Sequence, residues 1–192
     1  MPISLISQRN IEPEKGEVAL AKSFQAGIMG LLFVGLFMLL WYRLPGLFAI
    51  LALGVYIAVS LALFKIIPVT FSTAGIAGFI LSIGMAVDAN ILIFERLKEE
   101  LRGGKSLSTA IEEGFARAWT SIRDSNASSI ITALILWYFE TEAVRGFALT
   151  LGLGVAVSMF SAIVVSRTFL RAFHSRRPGA FLSLYGSGIK RL

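Results

Sequence analysis

The sequence predicts an all-α integral membrane protein built as a five-helix bundle. Of its 192 residues, 56% are hydrophobic, and the mean hydropathy is +0.76, well above that of a soluble domain. Apolar stretches of about the length that crosses a bilayer as a helix, roughly 20 residues, lie at about 24–42, 46–65, 72–95, 122–140 and 144–168. The chain has no cysteine, which excludes disulfides, thiolate metal sites and a cysteine nucleophile.

Residues 1–22 precede the first apolar stretch and are polar and irregular. Pro13 and Gly16 interrupt any helix before residues 17–22, and residues 3–6 are compatible with a short strand. We expect a transmembrane domain over residues 23–172 and a basic tail over residues 173–192. The single histidine, His174, lies in this tail and is interpreted as a solvated residue.

An amphipathic helix is predicted at about 106–120, in the loop after the third apolar stretch. Its apolar side chains recur every four residues, at Leu107, Ile111, Phe115 and Trp119. Thr109 and Glu112 have the spacing of a capping box. We expect this helix to lie on the inner membrane surface. The fourth apolar stretch, which follows it, is the weakest because three polar residues lie at its entrance: Arg123, Asp124 and Asn126.

The basic residues predict the orientation of the chain. Of the 18 lysines and arginines, 13 fall on one side: Arg43, Arg96, Lys98, Arg102, Lys105, Arg117, Arg123, Arg167, Arg171, Arg176, Arg177, Lys190 and Arg191. The other five are Arg9, Lys15, Lys22, Lys65 and Arg145. Because basic loops stay in the cytoplasm, the N-terminus is expected outside and the C-terminus inside.

Small residues recur at four-residue spacing in two of the predicted spans. The last span contains Gly146, Thr150, Gly154, Ser158, Ala162 and Ser166, and the third contains Gly78, Ser82, Ala86 and Asn90. Small residues let helix backbones approach closely in lipid, where no hydrophobic force drives helices together. The sequence therefore predicts that these two faces pack near each other.

Asp88 is the only acidic residue well inside a long apolar run. A charged aspartate at the middle of a spanning helix is disfavoured by about 3 kcal/mol. Protonating an ordinary aspartate at pH 7 is disfavoured by roughly 4 kcal/mol. Because the two costs are close, a small change in desolvation or hydrogen bonding can switch the favoured state, as a proton relay requires. Asn90 lies two residues further on and therefore on another face.

The alternative for Asp88 is a structural acid that bonds a neighbouring helix or is wetted from the inner surface. It lies seven residues before Glu95, or about 10 Å along a helix from the charged boundary.

The sequence gives little support for a phosphate-binding, metal or catalytic site. Gly104–Ser106 resembles the end of a phosphate-binding loop, but Glu99 replaces the required glycine. We therefore expect no ATP site. Because the only histidine lies in the tail and the chain has no cysteine, we also expect no metal and no catalytic triad. No cofactor is expected and, since the basic residues cluster beside the apolar stretches, no nucleic-acid partner.

The segment GMAVDANILIFERLKEELRGGKS, from Gly84 to Ser106, closely resembles the motif region of the SecD family of protein-export subunits. The resemblance continues through residues 125–132 and 144–148, and backward to residues 42–46. SecD belongs to the resistance-nodulation-division superfamily, whose halves have six spans. The resemblance implies that this chain supplies spans two to six. A first span and an extracytoplasmic domain are then expected in cis or in trans, with residues 1–22 as the remnant of that domain.

The resemblance also implies a function in the prokaryotic plasma membrane. The matching aspartate of the family, here Asp88, belongs to a proton pathway at the interface with SecF. Asp124 and Asn126 resemble a second motif of the family, and Asn90 is a weaker candidate for the same pathway. Proton flow moves the extracytoplasmic domains, which help to pull a secreted polypeptide outward from a SecYEG-type channel. The protein is accordingly expected to be a translocation component and not an enzyme.

Two alternatives to this translocation function remain open. In the first, the chain is half of another exporter of the same superfamily and moves lipids or drugs. In the second, it is an anchor that assembles the translocase without coupling it to protons. The first alternative differs from the translocation function in its cargo. The second differs from it in whether Asp88 takes up and releases a proton.

Overall fold

The computed structural model describes residues 13–67, 69, 71–139 and 142–176. This part of the chain is almost entirely helical and contains no strand, as the sequence predicted. Its elements are α1 (Pro13–Ile66), α2 (Thr73–Arg102), α3 (Leu107–Phe139), α4 (Glu142–Phe160), a π-helical segment (Ser161–Ser166) and α5 (Arg167–Arg176). The predicted strand at residues 3–6 and the tail beyond residue 176 lie outside the described residues.

Helix α1 is a hairpin of two antiparallel arms and not a straight rod. Arg43 interrupts the helix with φ 50° and ψ −112°. Gly35 lies close to the side chain of Ile50, because a Cβ added to Gly35 would be 3.9 Å from it. Residues 15 apart are separated by about 22 Å in a straight helix, so the chain reverses direction at Arg43. Pro45 falls in the first turn of the second arm, where its missing N–H group costs little.

The bend requires glycine at position 46, and Gly46→Ala is expected to destabilise the protein severely. A Cβ added to Gly46 would overlap the backbone carbonyl of Met38, which no side-chain movement can relieve. Gly35→Ala is the matched control in the same hairpin, because its Cβ would meet Ile50 at an ordinary distance. The yield of folded protein from membranes measures the difference. Equal yields for the two variants would show that the bend tolerates a side chain.

Three helical segments of the described chain are long and apolar enough to cross a membrane: Gly16–Ile66, Thr73–Arg102 and Val144–Ala172. The first contains the hairpin and therefore includes both of the first two predicted spans. The predicted fourth span at 122–140 is not in this group. This stretch is the second half of α3. The first half of α3 has a polar surface, and exposed polar side chains continue into the second half.

The separate surface helix predicted at 106–120 is not found. Helix α3 runs without interruption from Leu107 to Phe139, and the apolar face of its first half is buried in the main core with residues of α2 and α5. Gly114 allows the close approach, since a Cβ there would lie 3.0 Å from the backbone of Leu97. Three of the four periodic residues, Leu107, Ile111 and Phe115, pack against other helices, and the expected contact of this face with the inner membrane surface is not confirmed.

Helix α2 is the centre of the bundle, packed against α1, α3 and α4. It runs parallel to α4, because Gly75 near the start of α2 contacts Thr150 of α4, and Asn90 further along α2 contacts Ser166 in the π-helical segment that continues α4. The second arm of α1 is antiparallel to α4, with Ala52 bonded to Ser161. Helix α2 therefore has two distinct packed faces, one against the parallel α4 and one against the antiparallel α3.

Ion pairs fasten the turn between α2 and α3. Glu100, which is buried, pairs with Lys105 at 2.5 Å and with Arg117, and Lys105 also binds Glu113. The carboxylates of Glu100 and Glu113 raise the pKa of the Lys105 ammonium group above its usual value. This network joins the end of α2 to the first turns of α3, so the two helices meet at a defined angle.

Candidate functional site

A cleft with a volume of about 200 Å³ opens between α2 and α3. We call it the Asp88 cleft. Its residues are Met85, Asp88, Ala89 and Leu92 of α2 and Ile122, Ser125, Asn126 and Ser129 of α3. Polar groups from both helices thus share one opening in an otherwise apolar part of the bundle.

Asp88 lies on the face of α2 that is turned away from α4, and its side chain is exposed in the isolated chain. Within the described residues its carboxylate accepts no hydrogen bond and forms no ion pair. The neighbouring residues explain this placement. Ala86, Val87, Ala89 and Asn90 are buried, so the helix turns its packed faces to other helices and leaves position 88 open to the cleft.

The wall opposite Asp88 is made by hydroxyl and amide side chains of α3. Asn126 is buried and its Nδ2 donates to the carbonyl of Ile122 at 2.8 Å, which leaves its Oδ1 without a partner in the described chain. Ser125 and Ser129 donate to carbonyls of their own helix, at 3.2 and 3.3 Å. These groups have lone pairs available for a proton donor or a water molecule in the cleft.

The structure separates the four residues that were candidates for a proton pathway. Asp88 and Asn126 share the cleft. Asp124 is exposed outside it, paired with Arg123 at 2.9 Å. Asn90 is buried on the opposite side of α2, where it accepts a hydrogen bond from Ser166 at 2.5 Å. Two of the four therefore lie outside the cleft.

The small residues of α2 and α4 lie in contact with each other. A Cβ on Gly78 would lie 2.5 Å from Thr150 Oγ1 and 2.6 Å from the carbonyl oxygen of Phe147, and one on Gly154 would lie 2.5 Å from Ser82 Cβ. Thr150 also donates to the carbonyl of Gly75 at 2.8 Å. The remaining six members of the two rows are likewise buried: Gly146, Ser158, Ala162, Ser166, Ala86 and Asn90.

Two polar contacts between α1 and the rest of the bundle were not anticipated from the sequence. Tyr56 of α1 is fully buried, and its hydroxyl lies 2.6 Å from Ser82 Oγ. Ser161, at the start of the π-helical segment, donates to the carbonyl of Ala52 at 2.9 Å. A phenol inside an apolar span was a signal for the first contact. No local sequence pattern marks the π-helical segment.

Within the described residues no group of three histidine, cysteine, aspartate or glutamate side chains is close enough to hold a metal ion. The cleft is lined by one carboxylate, one amide and two hydroxyl groups, all suited to hydrogen bonding with one another or with water.

The chain matches a family of known proteins over residues 2–176, described as protein export membrane protein SecD/SecF, C-terminal. It is 50% identical over its whole length to the protein translocase subunit SecD of Thermobaculum terrenum and 51% identical over 96% of its length to that of Dehalococcoides mccartyi. It spans only 38% and 42% of the lengths of these relatives.

Solved structures show the same architecture. The crystal structure of SecDF from Thermus thermophilus, described as a translocon-associated membrane protein, matches 87% of this chain with a TM-score of 0.85 and 39% identity. A second SecDF structure, in a super-membrane-facing form, matches 84% with a TM-score of 0.79. The chain corresponds to 23% and 22% of those two chains.

Proposed function

Because the chain belongs to the SecD/SecF C-terminal family of protein export membrane proteins, we propose that it is the membrane part of a Sec translocation subunit driven by the proton gradient. Asp88 is the group that takes up and releases the proton, and Asn126 is the buried amide on the opposite wall of the cleft. Asp124 and Asn90 are left out of this pathway because both lie outside the cleft.

The observation that carries the proposal is an unpaired carboxylate in a cleft at the centre of an apolar helix. A carboxylate held by an arginine or lysine would stay ionised and would not relay protons. Within the described residues Asp88 has no such partner, whereas Asp124 does. The cleft is also lined by Met85, Leu92 and Ile122, so closing it around Asp88 would remove water and favour the protonated acid.

A SecF-like subunit is the partner we propose for the face that carries the cleft. A stripe of exposed, uncharged polar residues runs along α3 beside it: Ser121, Ser125, Ser128 and Thr132. Polar side chains in a membrane face other protein or a water-filled cavity. Such a partner would cover Asp88, and its movement would open and close the cleft.

We further propose that the whole assembly includes a SecYEG-type channel, a first span, an extracytoplasmic domain and a secreted polypeptide as cargo. The names of the relatives support this proposal, since they are translocase subunits or translocon-associated proteins. Replacing Asp88 with asparagine in the complete protein tests the central part, because it removes the proton and keeps the shape of the side chain.

The anchor alternative makes the opposite prediction for that variant. An amide holds a structural contact nearly as well as a protonated acid, so a non-coupled anchor would keep its activity. An exporter of lipids or drugs from the same superfamily would also lose activity in this variant. It would, however, act on a different cargo and would not change the rate at which secreted polypeptides cross the membrane.

The orientation proposed from the 13-to-5 division of basic residues has a direct test in reporter fusions. A reporter that is active only in the cytoplasm should work when fused after Arg102 or Leu192 and fail after Lys65 or Glu142. A reporter active only outside the cytoplasm serves as the control and should show the reverse. The opposite result at these sites would invert the topology and the side from which Asp88 receives protons.

A further inference from the structure

Asn90 stands out because it is a buried amide with a side-chain partner on a different helix. Its Nδ2 donates to the carbonyl of Ala86 on its own helix at 2.9 Å, and its Oδ1 accepts from Ser166 at 2.5 Å. Both Asn90 and Ser166 are buried. Since Asn90 and Asp88 are two residues apart, their side chains point about 160° apart around the helix axis.

The helix that presents Ser166 is π-helical where it does so, from Ser161 to Ser166. Residues five apart in an α-helix point about 140° away from each other. In a π-helix they are one hydrogen-bonded turn apart and therefore face the same side. Here both face the interior: Ser161 bonds Ala52 of α1 and Ser166 bonds Asn90 of α2. One face of the π-helical segment is therefore hydrogen-bonded to both α1 and α2.

We propose that Asn90 is a positioning residue, which together with Ser166 fixes the rotation of α2 about its axis and keeps Asp88 directed into the cleft. A rotation of α2 by one residue, about 100°, would break the Asn90–Ser166 bond and carry Asp88 away from Asn126. The other polar contacts of α2 with α1 and α4 lie at Gly75, Ser82, Glu95 and Lys98, all further along the helix from Asp88 than Asn90 is. The role of Asn90 in transport rests on the proposed function, whereas its role in fixing the rotation of α2 does not.

Cysteine cross-linking measures this rotation without reference to secretion. The chain has no native cysteine, and Met85 and Ser129 line the cleft from α2 and α3. A Met85→Cys, Ser129→Cys variant of the complete membrane-inserted protein should therefore be cross-linked by a short bis-methanethiosulfonate reagent. Adding Ser166→Ala or Asn90→Leu should lower the cross-linking rate several-fold.

The control is Ser158→Ala on the same helix as Ser166. Ser158 is also buried, but its hydroxyl bonds only the carbonyl of Val155 in its own helix, at 2.8 Å. We expect the cross-linking rate to be unchanged in this variant. Exchanging the pair, with Asn90→Ser and Ser166→Asn together, should restore a bond between the two positions and recover much of the rate that either single change loses.

The outcomes separate this inference from the proposed function. An unchanged cross-linking rate in Ser166→Ala and Asn90→Leu would overturn the positioning role, whatever the rate of secretion. An equal loss in Ser158→Ala would also overturn it, because the effect would then be general loosening. If Asp88→Asn secretes at the wild-type rate, the proton function fails, while the cross-linking result still decides how α2 is oriented.

Discussion

Asp88→Asn should abolish gradient-dependent secretion while leaving the protein inserted and assembled. Asparagine keeps the size and much of the hydrogen-bonding capacity of the protonated acid but cannot exchange a proton. Asp88 makes no hydrogen bond or ion pair within the described residues, so the substitution breaks no contact within this part of the chain. Secretion into vesicles that hold the complete protein, its SecF-like partner and the channel measures the effect with and without a proton gradient.

The matched control for this prediction is Asp124→Asn on α3. It makes the same chemical change at an exposed position outside the cleft, where the carboxylate is already paired with Arg123. A surface ion pair of this kind contributes about 0–1 kcal/mol, so secretion should be close to the wild-type rate. Wild-type gradient-dependent secretion in Asp88→Asn would remove the proton relay and leave the anchor interpretation standing.

Asp88→Glu should fall between these two variants. It keeps the titratable acid and moves it by one methylene group in a cleft of about 200 Å³. If water fills the cleft, proton exchange survives and secretion is partly retained. If the acid has to meet Asn126 at a fixed distance, secretion is lost as in the asparagine variant.

Gly78→Ala should cause the largest loss of stability among single-methyl substitutions in α2. The added Cβ would lie 2.6 Å from the carbonyl oxygen of Phe147, and a backbone atom of a packed helix cannot move aside. Overpacking of this kind typically costs about 1–3 kcal/mol, and Gly78→Leu should cost more. The free energy of unfolding in mixed micelles, from a titration with sodium dodecyl sulfate, measures the change.

Gly54→Ala is the control, because nothing lies within 4 Å of the position that its Cβ would occupy. This substitution should be neutral or stabilise the helix by about 0.5–1 kcal/mol. Gly154→Ala should cost about as much as Gly78→Ala, since its Cβ would lie 2.5 Å from Ser82 Cβ, which is fixed to the backbone of α2 and is not moved by a change of rotamer. If Gly78→Ala is as stable as Gly54→Ala, α2 and α4 do not approach as closely as described.

Much of the candidate site could be proposed from the sequence. A single acid inside an apolar run made Asp88 the leading candidate, because ionised groups are rare in spanning helices and stand out from their neighbours; its role in proton transfer stays a prediction. The rows of small residues identified the surfaces of α2 and α4 that now lie in contact, since only small side chains let two backbones come so close. The two-residue spacing also placed Asn90 on a different face from Asp88.

Other features were decided by tertiary structure. The periodicity of residues 107–119 defines an apolar face, but the same pattern suits a membrane surface and the side of another helix. In the structure α2 and α5 cover it. Likewise, Asp124 and Asn126 are two residues apart in sequence, and only the packing of α3 against α2 decides that Asn126 enters the cleft and Asp124 does not.

The sequence by itself therefore determined which residues are costly to place in a membrane and which helix faces are apolar, because both follow from side-chain chemistry and helical spacing. Apart from the small-residue faces of α2 and α4, the tertiary structure alone decided which partner each face meets. The π-helical turn at Ser161–Ser166 is of this second kind. It departs from regular helical geometry, and it is bonded to Ala52 and Asn90, which are distant in the sequence.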